Sequence, residues 1–232
     1  MEEIKFRERG LEMNLFDIMG PVMVGPSSSH TAGAVKIGYA AMKLLKEPVK
    51  KAEILLHGSF LLTGKGHGTP QALLAGVLGM QTDDERIPKS EEVARERGIE
   101  YSFGAVELKE AHANSVLLKL EGESGKHIEV VGESLGGSRI NIAQVNGHIT
   151  NFSGEYNTLI VNNADRPGCV AEISSLLERE NVNIAQMKLN RESRGGHAIM
   201  VFECDQEISK EALSWIEKQP GIERVIYYSL NS

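Results

Sequence analysis

The sequence of 232 residues contains little cysteine, few aromatic residues and no excess of basic residues. Its two cysteines, Cys169 and Cys204, lack Cys-x-x-Cys spacing, so they predict neither a disulfide framework nor a tetrahedral metal site. With 25 Lys and Arg against 32 Asp and Glu, the formal net charge is −7. This balance argues against a nucleic-acid partner, because binding to a phosphate backbone needs clustered cations.

Long apolar runs are missing as well. No stretch reaches the roughly 18 consecutive apolar residues that a membrane span requires, and residues 1–10 contain no apolar core of a signal peptide. The sequence therefore predicts a cytoplasmic protein without membrane contact. A length of 232 residues with 41% hydrophobic composition predicts two folded domains, each able to bury a core.

The first part of the chain predicts helices mixed with strands. Apolar residues recur at helical spacing in two places, and alternate with polar ones in three others. The predicted elements are helices at 31–45 and 70–78 and strands at 52–56, 116–120 and 128–130, the last two forming a hairpin. The charged residues 81–98 predict a loop with a short exposed helix.

The polar, turn-rich stretch 146–156 predicts the boundary between a domain at 1–150 and a second at 155–232. Beyond it, the predicted elements are strands at 157–162, 182–191, 197–204 and 223–229, with helices at 168–180 and 209–219. This βαββαβ order predicts a ferredoxin-like antiparallel sheet with two helices on one face. The predicted fold class is therefore α+β.

The nonapeptide GPSSSHTAG, residues 25–33, places three serines and a histidine where a helix begins. Free N–H groups and the positive end of the helix dipole attract a carboxylate or phosphate to such a place. The same dipole disfavours protonation of His30, so its imidazole is expected to stay neutral. The alternative interpretation is an ordinary helix cap beside a structural histidine.

Two further histidines stand in polar surroundings. His67 lies in TGKGHGT, residues 63–69, where glycines let the backbone approach a ligand closely, although a plain turn has the same composition. His112 and Asn114 stand where a strand begins. Taken together, three imidazoles beside hydroxyl and amide groups suit proton transfer and the holding of a small zwitterion.

These motifs resemble the β portion of the iron–sulfur-dependent L-serine dehydratases whose α and β parts are separate chains. The resemblance rests on GPSSSHTAG, GSFLLTGKGHGT at 58–69, His112-Ala-Asn114 and SLGG at 134–137. Two positions depart from the family pattern: Pro70 replaces an aspartate, and Ser138 replaces a third glycine. Residues 157–229 resemble an ACT domain, an amino-acid-sensing module of metabolic enzymes. The expected architecture is thus a serine dehydratase beta-type α/β domain followed by a ferredoxin-like ACT domain.

The resemblance implies deamination of L-serine to pyruvate and ammonia. It also implies a [4Fe–4S] cluster that binds the substrate hydroxyl through an open iron and is ligated by a partner α subunit, so no metal ligand is expected here. The implied catalytic residues are Ser28, Ser29, His30, Thr31, His67, His112 and Asn114. His30 and His112 are expected to orient the substrate or transfer protons, and the identity of the base stays open.

In the ACT-like part, the segment NNADRPGCVAEI at 162–173 runs from a strand into a helix. Its amides could hold an amino-acid carboxylate, although an ordinary strand-to-helix turn has the same chemistry. The predicted effector-binding residues are Asn163, Asp165, Arg166, Gly168 and Asn183. Asn183 is expected to reach the groove where two such domains pair, so the prediction includes an amino-acid effector and self-association through the ACT domain.

Two other functions stay open at this level. The chain could be a non-catalytic regulatory module, like the extra domain of some phosphoglycerate dehydrogenases, which binds serine or another anion without reaction. It could also be an assembly scaffold in which the motif loops are plain caps and turns. The favoured prediction is a β subunit of an L-serine ammonia-lyase that is inactive without its α chain.

Overall fold

The computed structural model describes residues 23–191 and 193–231. Within them, the first region contains helices α1 (Gly33–Leu45), α2 (Gly58–Leu62), α3 (Thr69–Val77) and α4 (Ser90–Glu96) and strands β1 (Val49–His57), β2 (Glu100–Ala105), β3 (Asn114–Gly122), β4 (His127–Gly136), β5 (Arg139–Val145) and β6 (His148–Phe152). The second region contains β7 (Asn157–Ala164), α5 (Cys169–Arg179), β8 (Ile184–Arg191), β9 (His197–Cys204), α6 (Lys210–Glu217) and β10 (Ile222–Tyr228). Short helical turns occupy Ser28–Ala32, Gly64–His67 and Ile87–Lys89.

The first sheet has the strand order β2-β1-β3-β4-β5-β6, with β1 and β2 parallel and the other neighbours antiparallel. Helices α1 and α3 pack together through two glycines. A Cβ at Gly38 would lie 2.2 Å from the carbonyl oxygen of Leu73, and one at Gly76 would lie 2.1 Å from that of Val35. The two helix backbones therefore touch directly, and only glycine allows this approach.

The second sheet has the strand order β10-β7-β9-β8 and is antiparallel throughout. Together with the βαββαβ order of its elements, this confirms the predicted ferredoxin-like arrangement. Its helices cover one face, where Ile173, Leu177 and Ile216 are buried. Residues of the opposite face, including Ile160 and Val201, belong to the same hydrophobic cluster as α1. The two regions thus share a continuous packed interface.

A buried lysine also ties the two regions together. The Nζ of Lys43 on α1 donates hydrogen bonds to the carbonyls of Ser229, at 3.1 Å, and Leu230, at 2.5 Å, just beyond β10. Lys43 is only 6% exposed. The helix that begins at the GPSSSHTAG motif therefore ends against the last strand of the ACT-like sheet.

Several predictions of local structure require correction. Residues 146–156 are not entirely turn, because β6 at 148–152 lies within them and pairs with β5. The helix α4 is not simply exposed, since Ser90 and Ala94 are fully buried. Strand β2 and helix α2 were not predicted, because β2 is a mostly exposed edge without apolar alternation and α2 spans only five residues. The domain limits remain a prediction.

No helix in the described part of the chain has both the length and the apolar character needed to cross a bilayer. The cytoplasmic location stays a prediction. The prediction that residues 1–10 contain no apolar core of a signal peptide concerns residues outside the described part of the chain.

Candidate active site

The GPSSSHTAG motif forms a single π-helical turn, Ser28–Ala32, that leads directly into α1. Ser27 is its N-cap, and the Ser27 hydroxyl accepts a hydrogen bond from the backbone N–H of His30 at 3.1 Å. One serine therefore caps the helix, as the alternative interpretation requires. The hydroxyls of Ser28 and Ser29 are not needed for this cap.

The half-buried imidazole of His30 has hydrogen-bond partners on both nitrogens. Its Nδ1 lies 3.1 Å from the Ser29 hydroxyl. Its Nε2 lies 3.1 Å from both the Ser59 and the Thr63 hydroxyls. The ring also makes an edge contact with buried Phe60, with ring centroids 5.4 Å apart. Sequence analysis missed Ser59 and Thr63, although both lie in the GSFLLTGKGHGT motif.

The structure brings His67 beside His30, with the two ring centroids 4.9 Å apart. The Nδ1 of His67 lies 3.1 Å from the carbonyl oxygen of Thr63. A carbonyl only accepts, so the neutral ring carries its proton on Nδ1 and keeps a lone pair on Nε2. The His67 ring can therefore accept a proton at Nε2.

Two threonines hold the loops of these histidines together. Thr31 Oγ1 donates to the carbonyl of His67 at 3.1 Å, and Thr69 Oγ1 donates to the carbonyl of His30 at 2.9 Å. Both threonines are buried, at 3% and 0% exposure. Thr31 therefore fixes the relative position of the two imidazoles rather than presenting its hydroxyl to solvent. Pro70 follows Thr69 in the first turn of α3.

The pKa of His30 is lowered from its usual value of 6.5, chiefly by burial and then by the nearby His67, while the contact with Ser59 opposes the shift. The predicted neutral imidazole agrees with this direction. Burial and a neighbouring imidazole are causes that the sequence alone did not predict.

His112 and Asn114 lie where β3 begins, beside the short helix α2 that carries Ser59. The backbone N–H of Ser59 donates to the carbonyl of Ala113 at 2.7 Å, and Gly58 forms a β-bridge with Asn114. The exposed His112 ring accepts the backbone N–H of Asn114 at Nδ1, 3.1 Å away. Its neutral form therefore carries the proton on Nε2 and can donate it.

The end of β4 and the glycine-rich bend that follows it support the serine motif from the other side. Ser134 donates to the carbonyl of Ser29 at 2.9 Å, and Ser138 donates to that of Ser28 at 3.5 Å. Gly136, Gly137 and Ser138 all have positive φ, at 87°, 58° and 60°. Ser138 thus occupies a left-handed conformation that favours glycine, which accounts for the third glycine usual in the family.

The donor set of this chain does not fit an iron–sulfur cluster. Both cysteines are buried and belong to the core of the second region, whereas His30, His67 and His112 lie in the first region. Burial raises the pKa of the Cys204 thiol to about 11, which opposes the thiolate that iron requires. Among the residues that the structure describes, no three His, Cys, Asp or Glu side chains are grouped to hold a metal ion.

Four of the five predicted effector-binding residues lie together where β7 ends and α5 begins. Asn163 is 2% exposed, and its Oδ1 is buried without a hydrogen-bond partner in the described structure. Asp165 accepts the N–H of Gly195 at 2.9 Å, and Arg166 forms a two-point ion pair with Glu172. Gly168 caps α5 with φ of 97°.

Asn183 lies at the other end of the same sheet. The register pairs Asn163 with Ala198, whereas Ile184 pairs with Cys204, six residues away and so about 20 Å along β9. Within one chain Asn183 therefore does not share a groove with Asn163, and its side chain donates to Asp205 at 2.7 Å. Its predicted role requires a second copy of the domain and stays a prediction.

The fold and the site define a two-domain protein in which an α/β domain carries a histidine–hydroxyl cluster and is followed by an ACT domain. The serine dehydratase beta chain family model matches residues 14–101, and the ACT domain model matches residues 157–221. The α+β class and the resemblance of both parts are thereby confirmed.

Similar proteins agree with these matches. The chain is 36% identical to the probable L-serine dehydratase, beta chain, of Bacillus subtilis strain 168, over 91% of this chain and 96% of that one. It is 37% identical to the L-serine dehydratase, beta chain, of Peptoniphilus asaccharolyticus, over 92% and 95% respectively. The chain belongs to the serine dehydratase beta chain family. It is also 26% identical to D-3-phosphoglycerate dehydrogenase of Bacillus subtilis, over 82% of this chain and 36% of that protein.

Proposed function

We propose that the chain is the β subunit of an L-serine ammonia-lyase, which converts L-serine to pyruvate and ammonia together with an α subunit. The observation that carries the proposal is the 36–37% identity, over more than nine-tenths of the chain, to one L-serine dehydratase beta chain and one probable L-serine dehydratase beta chain. The cluster of His30, His67, Ser59 and Thr63 supports it, because these groups can bind a polar substrate and transfer protons.

The imidazoles of His67 and His112 have different roles in this proposal. His67 keeps a lone pair on Nε2, so it can accept a proton, whereas His112 keeps a proton on Nε2, so it can donate to a carboxylate or departing group. His30 lies in the hydroxyl network and orients the substrate. Ser28, Ser29, Thr31 and Asn114 complete the site by holding these loops in place.

The [4Fe–4S] cluster belongs, in this proposal, to the α subunit. This chain offers only two buried cysteines, so it does not provide the thiolates that a cluster needs. Its own contribution is to close one side of the active site with the histidine loops.

We further propose that an amino-acid effector binds between β7 and α5, where Asn163 Oδ1 is a buried acceptor for an ammonium group. The ACT domain would also mediate self-association.

The test is reconstitution with a cysteine-rich α chain under anaerobic conditions, followed by an assay of pyruvate formation from L-serine. We expect activity only when both chains are present. His30→Ala and His112→Ala should each lower turnover by at least tenfold in complexes that assemble normally. Full turnover in both variants would show that the histidines are not needed for catalysis and would favour the function of an assembly scaffold.

A second candidate function is a non-catalytic amino-acid-binding module. The similarity to D-3-phosphoglycerate dehydrogenase favours this second function. The match covers 82% of this chain but only 36% of that enzyme, so most of this chain corresponds to one part of a larger protein. Under this function, the α chain alone would form pyruvate at the rate of the complex. Amino acids would then change only the regulation of that rate.

A further inference from the structure

A set of polar side chains crosses the first sheet from His112 to the ACT domain. We call the four residues Glu133, Asn141, Asn151 and Lys188 the polar row. Glu133 on β4 lies directly opposite Ser115 on β3 and Asn141 on β5. Side chains that are directly opposite share one face of a sheet, so the three can interact laterally.

The first contact of the polar row holds the backbone of His112. The Oε1 of Glu133 accepts the N–H of His112 at 3.2 Å. Ser115, the cross-strand neighbour of Glu133, donates to the carbonyl of His112 at 2.5 Å. Since Nδ1 of the ring also accepts the N–H of Asn114, both the backbone and the ring of His112 are fixed relative to the sheet.

Asn141 extends the contact to β6. Its Nδ2 lies 2.9 Å from Glu133 Oε2 and 3.0 Å from Asn151 Oδ1. A carboxylate only accepts, so Asn141 must present its NH2 group to Glu133, and the two amide hydrogens serve the two acceptors. One amide therefore links the carboxylate that holds His112 to the side chain of Asn151.

Asn151 connects the polar row of the first sheet to the ACT domain. It has a left-handed backbone with φ of 47°, on the strand β6 whose pairing with β5 shifts register between Ile142 and Gln144. Its backbone carbonyl accepts a hydrogen bond from the Nζ of Lys188, a half-buried residue of β8. A contact that begins on the edge strand of the ACT sheet thus continues to His112 through hydrogen bonds and through Asn151 itself, whose backbone contacts Lys188 and whose side chain contacts Asn141.

We propose that the polar row positions His112 according to the placement of β8, so that events at the ACT edge strand alter the active site. The polar row transmits geometry and transfers no proton. The importance of His112 for catalysis rests on the proposed function, but the mechanical dependence of His112 on Lys188 does not. An event at β8, such as pairing with a second ACT domain, would displace Lys188, release Asn151 and Asn141, and reorient the Glu133 carboxylate.

The direct test is NMR of the full chain with labelled histidine, in which the ring signals of His112 are assigned by their loss in His112→Gln. Lys188→Met removes the donor to Asn151, and we expect it to shift the His112 ring signals and the Asn141 side-chain amide signals. Lys188→Arg keeps a donor and should restore them. Lys218→Met is the matched control, because it removes an exposed lysine at the end of α6, outside the polar row.

A second variant tests whether the effect travels through Asn141. Asn141→Leu removes the central amide, so Lys188→Met should cause no additional shift of His112 in that background. The proposal would be overturned if the His112 shifts of the two single variants simply added in the double variant. It would also be overturned if the His112 ring signals of Lys188→Met matched those of the Lys218→Met control. Unchanged backbone signals of β7 and β10, the two strands of the second sheet that do not adjoin β8, establish that each variant is folded.

Glu133→Gln examines the contact nearest to His112. Glutamine replaces one of the two carboxylate oxygens with an NH2 group, so the contact of that oxygen with His112 or with Asn141 is lost, and we expect the His112 N–H signal to move. In the reconstituted complex, Lys188→Met should lower kcat/KM for L-serine about threefold, within the usual range for coupling through a contact network. If the wild-type complex formed no pyruvate, the proposed function would fail, while the NMR comparison would still decide the role of the polar row.

Discussion

The Nε2 atom of His30 lies 3.1 Å from the hydroxyl oxygen of Ser59, 29 positions further along the chain. Thr63 is equally close to Nε2, but its hydroxyl also donates to the carbonyl of Ser59 at 2.9 Å. With that hydrogen engaged, the Thr63 hydroxyl can only accept from Nε2, whereas the Ser59 hydroxyl can either donate to Nε2 or accept from it. Ser59 is therefore the hydroxyl at Nε2 that can stabilise either tautomer of His30.

This arrangement predicts unequal effects of two hydroxyl deletions. Ser59→Ala should lower pyruvate formation by the complex roughly tenfold, which corresponds to the loss of one hydrogen bond of about 1.4 kcal/mol. Thr63→Val should lower it by less than about threefold. The ¹⁵N signals of the His30 ring should report a changed tautomer population in the first variant alone. Equal effects of the two deletions would contradict the assignment.

The neighbouring imidazoles predict a defined pH dependence. Burial and His67 lower the pKa of His30 in the folded chain below 6.5, so the unfolded chain binds a proton more readily. The lowered pKa of His30 contributes to the free energy of unfolding. This contribution is fully present above pH 6.5 and is lost as the pH falls through the pKa of His30 in the folded chain. In His67→Asn, which can still donate to the Thr63 carbonyl, the His30 pKa should rise towards 6.5 and the loss should shrink.

Urea unfolding at neutral and mildly acidic pH, with an NMR titration of His30, measures both effects. His127→Asn is the control, because this exposed histidine lies on β4 away from His30. An unchanged His30 pKa in His67→Asn would show that burial alone causes the shift.

The close approach of α1 and α3 predicts a large effect from a single methyl group. Gly38→Ala would place a Cβ 2.2 Å from a backbone carbonyl, so the helices must separate. We expect this to lower the free energy of unfolding by about 1–3 kcal/mol. Gly66→Ala is the matched control, since no atom lies within 4 Å of the added Cβ, and it should change stability by less than about 0.5 kcal/mol. Similar unfolding midpoints for the two variants would disprove the contact.

The buried thiols predict inertness in the native chain. Because burial raises the pKa of Cys204 to about 11 and Cys169 is only 3% exposed, neither should react with iodoacetamide at mildly alkaline pH until denaturant is added. Intact-mass analysis before and after unfolding measures this directly. The chain purified without its partner should also show no iron–sulfur absorbance. Rapid labelling of either cysteine in the folded chain would reopen the question of a metal site here.

The sequence alone was enough to predict the elements whose periodicity is local. The helical spacing that ends at Leu45 and the alternation at 157–162 each appear in observed elements, and the βαββαβ order followed from their succession. The motif histidines were also identifiable, because glycines and hydroxyls surround them in the sequence itself. These features depend on neighbours within a few residues, so the pattern carries them.

Only the tertiary structure decided which distant groups meet. Ser59 and Thr63 reach His30 because β1 returns the chain to the start of α1, and the sequence gives no signal for that distance. Asn163 and Asn183 are both predicted effector-binding residues, yet strand register separates them to opposite ends of one sheet. Register and helix contacts are set by packing between segments far apart in the chain, and for this reason they cannot be read from local periodicity.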